Sequence, residues 1–162
     1  MSQMDTSTPA LPSSSTPTCT IRAPSFPTTV QQSCLVNDIQ TDLVVQIFSD
    51  RTLILISQLN GKIGTYITTT VEQSIIDNST TFNITSLLGR RDDPLMEIYA
   101  RQLAERIHKL HNGSSRDVMD GMTLPPILLG IALSKESKAR EKDVFHTILD
   151  LVLQMYVKAL SA

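Results

Sequence analysis

Residues 42–71, DLVVQIFSDRTLILISQLNGKIGTYITTTV, decide the fold: three runs of branched aliphatics and threonine are separated by Asp50-Arg51 and by Asn60-Gly61. Such runs read as strands, and Asn-Gly supplies the two positive φ angles of a type I′ turn. Two-residue turns at both points set an antiparallel register with Ile47 opposite Ile54, Val45 opposite Ile56, Ile54 opposite Ile67 and Gln58 opposite Ile63. One face is then almost wholly branched aliphatic, the pattern of a core. The other carries Val44, Gln46, Phe48, Leu53, Leu55, Ser57, Tyr66 and Thr68, too apolar a set to leave in water. Arg51 suits a positive φ badly, and a slip of one residue there would exchange the two faces of the first strand.

The pattern extends in both directions. Thr28 to Val36 alternates, with Val30, Cys34 and Val36 on one side, and Thr80 to Leu88 alternates again with Phe82, Ile84 and Leu88 together. Asp93-Pro94 opens a helix, Asp as cap and Pro at the first helical position. Leu95, Tyr99, Leu103, Ile107 and Leu110 form its apolar stripe, and Asn112-Gly113 ends it. Asn112 to Leu124 reads as a loop. Ile127 to Leu133 is an unbroken apolar run of the kind found in central strands, and Glu136 to Leu160 forms a second amphipathic helix through Val144, Ile148, Leu151, Val152, Met155 and Ala159. The fold class expected is α+β: an antiparallel-dominated sheet of about six strands with two amphipathic helices packed on one face. That leaves the second sheet face without an element to cover it, and a partner protein or a dimer is the expected remedy. The alternative is an internal second layer built by the same chain.

At 162 residues, 41% hydrophobic and 19% charged, the chain is expected to hold one domain, residues 28–162, behind a disordered tail of residues 1–27 rich in Ser, Thr and Pro. A net charge of -2 without a Lys/Arg block argues against nucleic acid as a partner. No apolar run approaches the ~20 residues of a membrane span, so no membrane is expected either. The two cysteines, Cys19 in the polar tail and Cys34 in a strand, give no disulfide framework. A reducing intracellular compartment is expected, the cytoplasm, with the nucleus left open.

Candidate chemistry is sparse. Asn60-Gly61-Lys62-Ile63-Gly64-Thr65 has the Gly-Lys of a phosphate loop but joins two strands, where no helix N-terminus converges on a phosphate. His108 and His111 lie three apart on one helix, with His146 as a third candidate. No acid or thiol joins them at ligand spacing, and a cationic role at the negative end of the helix accounts for the pair more simply. Ser, His and Asp occur without a nucleophile elbow. No catalytic residue, metal ligand or cofactor is assigned, and the chain is not expected to be an enzyme.

Two segments together resemble the proteasome assembly chaperone 3 family. One is Ile54 to Thr65, with Gln58, Gly61, Lys62, Gly64 and Thr65; the other is Leu87 to Leu103, with Leu87, Leu88, Gly89, Asp92, Asp93, Pro94 and Leu95. The resemblance implies a non-enzymatic chaperone of proteasome assembly. Such a protein pairs with a related small chaperone or with itself and binds an α-type subunit while the core-particle α-ring forms. It also implies a compact fold of one sheet and two helices. The N-terminal tail and the 112–125 loop are longer than the family's usual form. A dimeric trafficking or signalling scaffold is the rival reading.

The resemblance brings no residue-by-residue binding motif, so the expected partner surface rests on sheet geometry. Phe48, Leu53, Leu55 and Tyr66 would form its centre, with Gln46 and Thr68 at polar edges. Lys62 and the connection Arg90, Arg91, Asp92 would give rim contacts, the plainer reading of that connection being a solvated loop.

Overall fold

The computed structural model describes residues 27–74, 76–77, 79–90, 93–113, 124–139 and 141–161. The expected disordered tail therefore lies, apart from Pro27, outside the described residues, as does most of the 112–125 loop. Six strands, β1 (Thr28–Val36), β2 (Ile39–Ile47), β3 (Thr52–Ser57), β4 (Thr65–Gln73), β5 (Thr80–Leu88) and β6 (Ile127–Ala132), form one sheet in the order β1-β2-β3-β6-β4-β5. Only the β3–β6 pair is parallel. Helices α1 (Pro94–Gly113) and α3 (Glu141–Leu160) pack on one face, α1 over β4 and β5 and α3 over β1 and β2. A short helix α2 (Lys135–Ala139) precedes α3, so the expected single helix from Glu136 is two. Ser134 opens α2, its hydroxyl oxygen accepting from the Ser137 amide at 3.1 Å.

The strand order corrects the expected β3–β4 hairpin. Ile54 does not face Ile67, nor Gln58 Ile63; Ile54 faces Leu129, and Leu129 faces Ile67, because β6 runs between them. Its Ile-Leu-Leu-Gly-Ile-Ala sequence is apolar on both sides, which suits the most enclosed place in a sheet. The Asn-Gly turn is nonetheless real. Asn60 and Gly61 have φ of 53° and 73°, and the Lys62 amide donates to the Leu59 carbonyl at 3.1 Å. That turn reverses the chain inside the connection of residues 58–64, which passes the end of β6 to reach β4.

The expected β2–β3 register is also corrected. Ile47 faces Thr52 and Val45 faces Ile54, so the connection is four residues, Phe48 to Arg51, closed by the Phe48 amide on the Arg51 carbonyl at 2.9 Å. A longer loop spares Arg51 the positive φ that a two-residue turn would demand. The shift is two residues, and a side-chain period of two keeps the paired residues of β2 and β3 on their expected faces.

Leu43, Val45, Ile54, Ile56, Ile67, Leu129 and Ile131 point from the sheet into the helix layer, where they meet Tyr99, Leu103 and Ile107 of α1 and Ile148, Leu149 and Val152 of α3, all but sealed from solvent. Tyr99 and Phe145 close this layer edge to face at 4.6 Å between ring centres. Cys34 lies half-buried at its margin, where burial, helped by the Asp42 charge, pushes the thiol pKa up. Truncating any fully enclosed Leu or Ile here to Ala costs about 2–5 kcal/mol.

Candidate functional site

Two rows of residues define the sheet face that turns away from the helices. The pairings align Gln31, Val44, Leu55, Gly130, Tyr66 and Leu88 in one row, and Thr29, Gln46, Leu53, Leu128, Thr68 and Thr85 in the next. Val44, Leu53, Leu55, Leu128 and Tyr66 are half-buried by one another, and none joins the core beneath the helices. Among the described residues no helix or strand lies over this face. Five strand spacings of ~4.8 Å make it ~24 Å wide, room for an interface of ordinary size.

Of the residues expected to meet a partner, Gln46, Leu53, Leu55, Tyr66 and Thr68 fall in these two rows. Phe48 does not: it belongs to the four-residue connection beyond β2 and is half-buried there. Lys62 and Arg90 are exposed, and Arg91 and Asp92 lie outside the described residues.

Four residues of the face were not expected there; one is Leu88, expected on the side of Phe82 and Ile84, which an irregularity of the ladder between Tyr66 and Ile67 sets opposite Tyr66. Leu128 and Gly130 arrive with β6, whose unbroken apolar run marks a central strand but does not name β3 and β4 as its neighbours. Ile63, expected on the core side, reaches the open face instead. A β-carbon on Gly130 would stand 2.7 Å from Leu55 Cδ2, 3.1 Å from Tyr66 Cε1 and 3.2 Å from Ile63 Cγ2, so these three side chains close over the bare backbone of Gly130. The missing side chain lets Leu55, Tyr66 and Ile63 pack together at the centre of the face. Such an apolar centre inside a polar border, Gln46 and Thr68 included, can bind a protein surface and offers no group for acid-base or nucleophilic chemistry.

The 58–64 connection that frames the face is held by Gln58. Its amide nitrogen Nε2 donates to Thr41 Oγ1 at 3.1 Å, its Oε1 accepts from the Ser134 amide at 3.1 Å, and its own backbone amide donates to the Ala132 carbonyl at 2.8 Å. Ser57 donates to the Lys62 carbonyl at 2.7 Å across the same turn. These bonds anchor the turn to β2 and to the end of β6, so Lys62 is presented from a fixed base.

The reading of His111 is also corrected. His111 does not serve as a helix-end cation: partial burial, with the nearby His108, holds its pKa below the usual imidazole value. Its Nε2 lies 2.7 Å from the Tyr156 hydroxyl. Tyr156 is buried, which pushes its own pKa up, and its oxygen also meets the Thr52 side chain. Among the described residues no three His, Cys, Asp or Glu side chains gather as a metal site, and no helix is long and apolar enough to cross a membrane.

Residues 54–152 match the family model described as Proteasome assembly chaperone 3. A relative from Nematostella vectensis, named Proteasome assembly chaperone 3, is 31% identical over 121 residues, covering 70% of this chain and 80% of the relative. Among solved structures, a chain of a chaperone complex for yeast 20S proteasome assembly superposes with a TM-score of 0.57 at 17% identity, over 79% of this chain and 98% of that one. That likeness is one of fold.

Proposed function

Because this chain belongs to the proteasome assembly chaperone 3 family, we propose that it works by non-enzymatic binding: its open sheet face pairs with a related small chaperone or a second copy, and the pair holds an α-type proteasome subunit during ring assembly. The observation that carries this reading is the bare apolar face, with Leu55, Tyr66 and Ile63 gathered over Gly130 and the helices on the other side. Burial of Val44, Leu53, Leu55, Leu128 and Tyr66 against a second sheet is the source of binding energy, at about 25 cal/mol per Å² of apolar surface removed from water. Gln46 and Thr68 then meet polar partners at the border. Lys62, on its anchored turn, and Arg90, beyond the end of β5, are the contacts left for the α-type subunit. The work is done in the cytoplasm, with the nucleus as the second compartment to examine.

Native purification of the full chain from its own cells, with mass identification of what accompanies it, tests the proposal. Recovery of an α-type proteasome subunit together with a second small chaperone, or with extra copies of this chain, is expected. Recovery of membrane-tethering or signalling complexes without proteasome subunits would overturn it.

A further inference from the structure

On the side opposite the open sheet face, α1 and α3 run in the same direction, as two cross-links show: Arg106 Nη1 to Asp150 Oδ1 and His111 Nε2 to Tyr156 Oη, each 2.7 Å. Between their outer surfaces lies an open groove of about 580 Å³ lined by Arg106, Lys109 and Leu110 of α1 and by Leu153, Gln154 and Val157 of α3. Its apolar residues are accessible, Leu110 at 39% and Val157 at 49% exposure. Its two charged lining residues, Arg106 and Lys109, are both basic, Arg106 being paired with Asp150. We propose that this groove is a second docking surface, one that takes an acidic amphipathic helix from a partner protein.

The charge decides the occupant. A second copy of this chain docking groove to groove would bring Arg106 and Lys109 against themselves, and like charges so apposed oppose association. A helix with apolar residues three and four apart meets Leu110, Leu153 and Val157, and Asp or Glu beside that stripe meets Lys109 and Arg106. Arg106 spends one terminal nitrogen on Asp150, and the rest of its guanidinium fork remains for a carboxylate. Since the groove and the open sheet face lie on opposite sides of the molecule, both can be filled at once. The inference does not depend on which protein covers the sheet.

Fluorescence anisotropy with two labelled synthetic peptides, each about 14 residues with Leu at helical spacing and differing only in Glu or Lys flanks, tests it on the full chain. The Glu peptide is expected to bind, more weakly as salt rises, and the Lys peptide is not. Val157→Asp and Lys109→Glu should each weaken binding about tenfold, with circular dichroism unchanged since both positions are exposed, whereas Leu55→Glu on the far face should leave it intact. No binding, equal binding of both peptides, or indifference to Val157→Asp would overturn the proposal. So would binding to phosphatidylserine vesicles without binding to the Glu peptide, which would make the groove a membrane contact.

Discussion

Gly89 packs directly on Thr65. At φ 102°, a β-carbon on Gly89 would stand 2.7 Å from Thr65 Oγ1, 2.8 Å from Thr65 Cα and 2.5 Å from the Gly64 carbonyl oxygen. The two stretches that carry the family resemblance, Ile54 to Thr65 and Leu87 to Leu103, therefore meet in space where β5 ends against the start of β4. Gly89→Ala meets backbone on one side and a disfavoured φ on its own. It should cost about 2 kcal/mol or more, read as a lower urea midpoint with an unchanged slope. A midpoint equal to that of the parent would show that the contact relaxes freely.

Gly130 presents the opposite case, because what a β-carbon would meet there is side-chain tips. Leu55 and Tyr66 can swing aside, and alanine fits a strand better than glycine does. Gly130→Ala should leave thermal stability within about 1 kcal/mol of the parent while pushing apart the side chains that pack over Gly130. Partner affinity should fall measurably by isothermal titration. Loss of fold, or an affinity that does not change, would count against this cluster as a contact.

Thr69 points into the core from β4, 1% exposed, and its hydroxyl finds no hydrogen-bond partner among the described residues. Its neighbours across the ladders are Ile84 and Ile127. Thr69→Val keeps the shape, removes an unsatisfied hydroxyl, and should raise stability by about 1 kcal/mol. Differential scanning calorimetry would read this as a higher Tm. A lower Tm would mean that the hydroxyl is satisfied in solution.

His111 gives the fold a dependence on pH. Its folded pKa lies below the ordinary imidazole value through partial burial and the nearby His108. Between those two values the unfolded chain binds a proton that the folded chain resists. The stabilisation is thus whole above the ordinary value and drains as pH falls through the folded one. The neutral ring of His111 can donate to or accept from Tyr156 according to its tautomer, whereas the protonated ring can only donate. Denaturation series from pH 8 down to about 5 should show a decline in the parent that His111→Gln makes shallower. Parallel curves would remove His111 as its source.

Most of this architecture can be read from local pattern, since faces and strand limits are local properties. The limits of β1 and β5 follow from alternation, and the start of α1 follows from Asp93-Pro94. Gln46, Leu53, Leu55, Tyr66 and Thr68 fall on the open face even though the β2–β3 register is displaced, because a two-residue displacement preserves parity. Strand order is another matter. Asn60-Gly61 makes the turn its chemistry demands, yet nothing within residues 54–67 says that Ile127 to Ala132 will come between. The pairing of Leu55 with Gly130 spans a separation in sequence that no periodicity reports. Leu128, Gly130 and Ile63 escape local pattern for that reason, and Phe48 leaves the face because Asp50-Arg51 does not make a two-residue turn. The setting of His111 escapes local pattern as well, because Tyr156 comes from α3 and not from its own helix.

The central claim is that the face bearing Leu55 is completed by another protein. Sedimentation equilibrium of the chain with its co-purified partner, parent against Leu55→Glu, tests it most directly, with circular dichroism recorded on the same samples. The parent should sediment as a pair and the Leu55→Glu variant as a folded single chain. A Leu55→Glu variant that unfolds would make the position internal, and one that remains paired with native stability would put the interface elsewhere; either result contradicts the account.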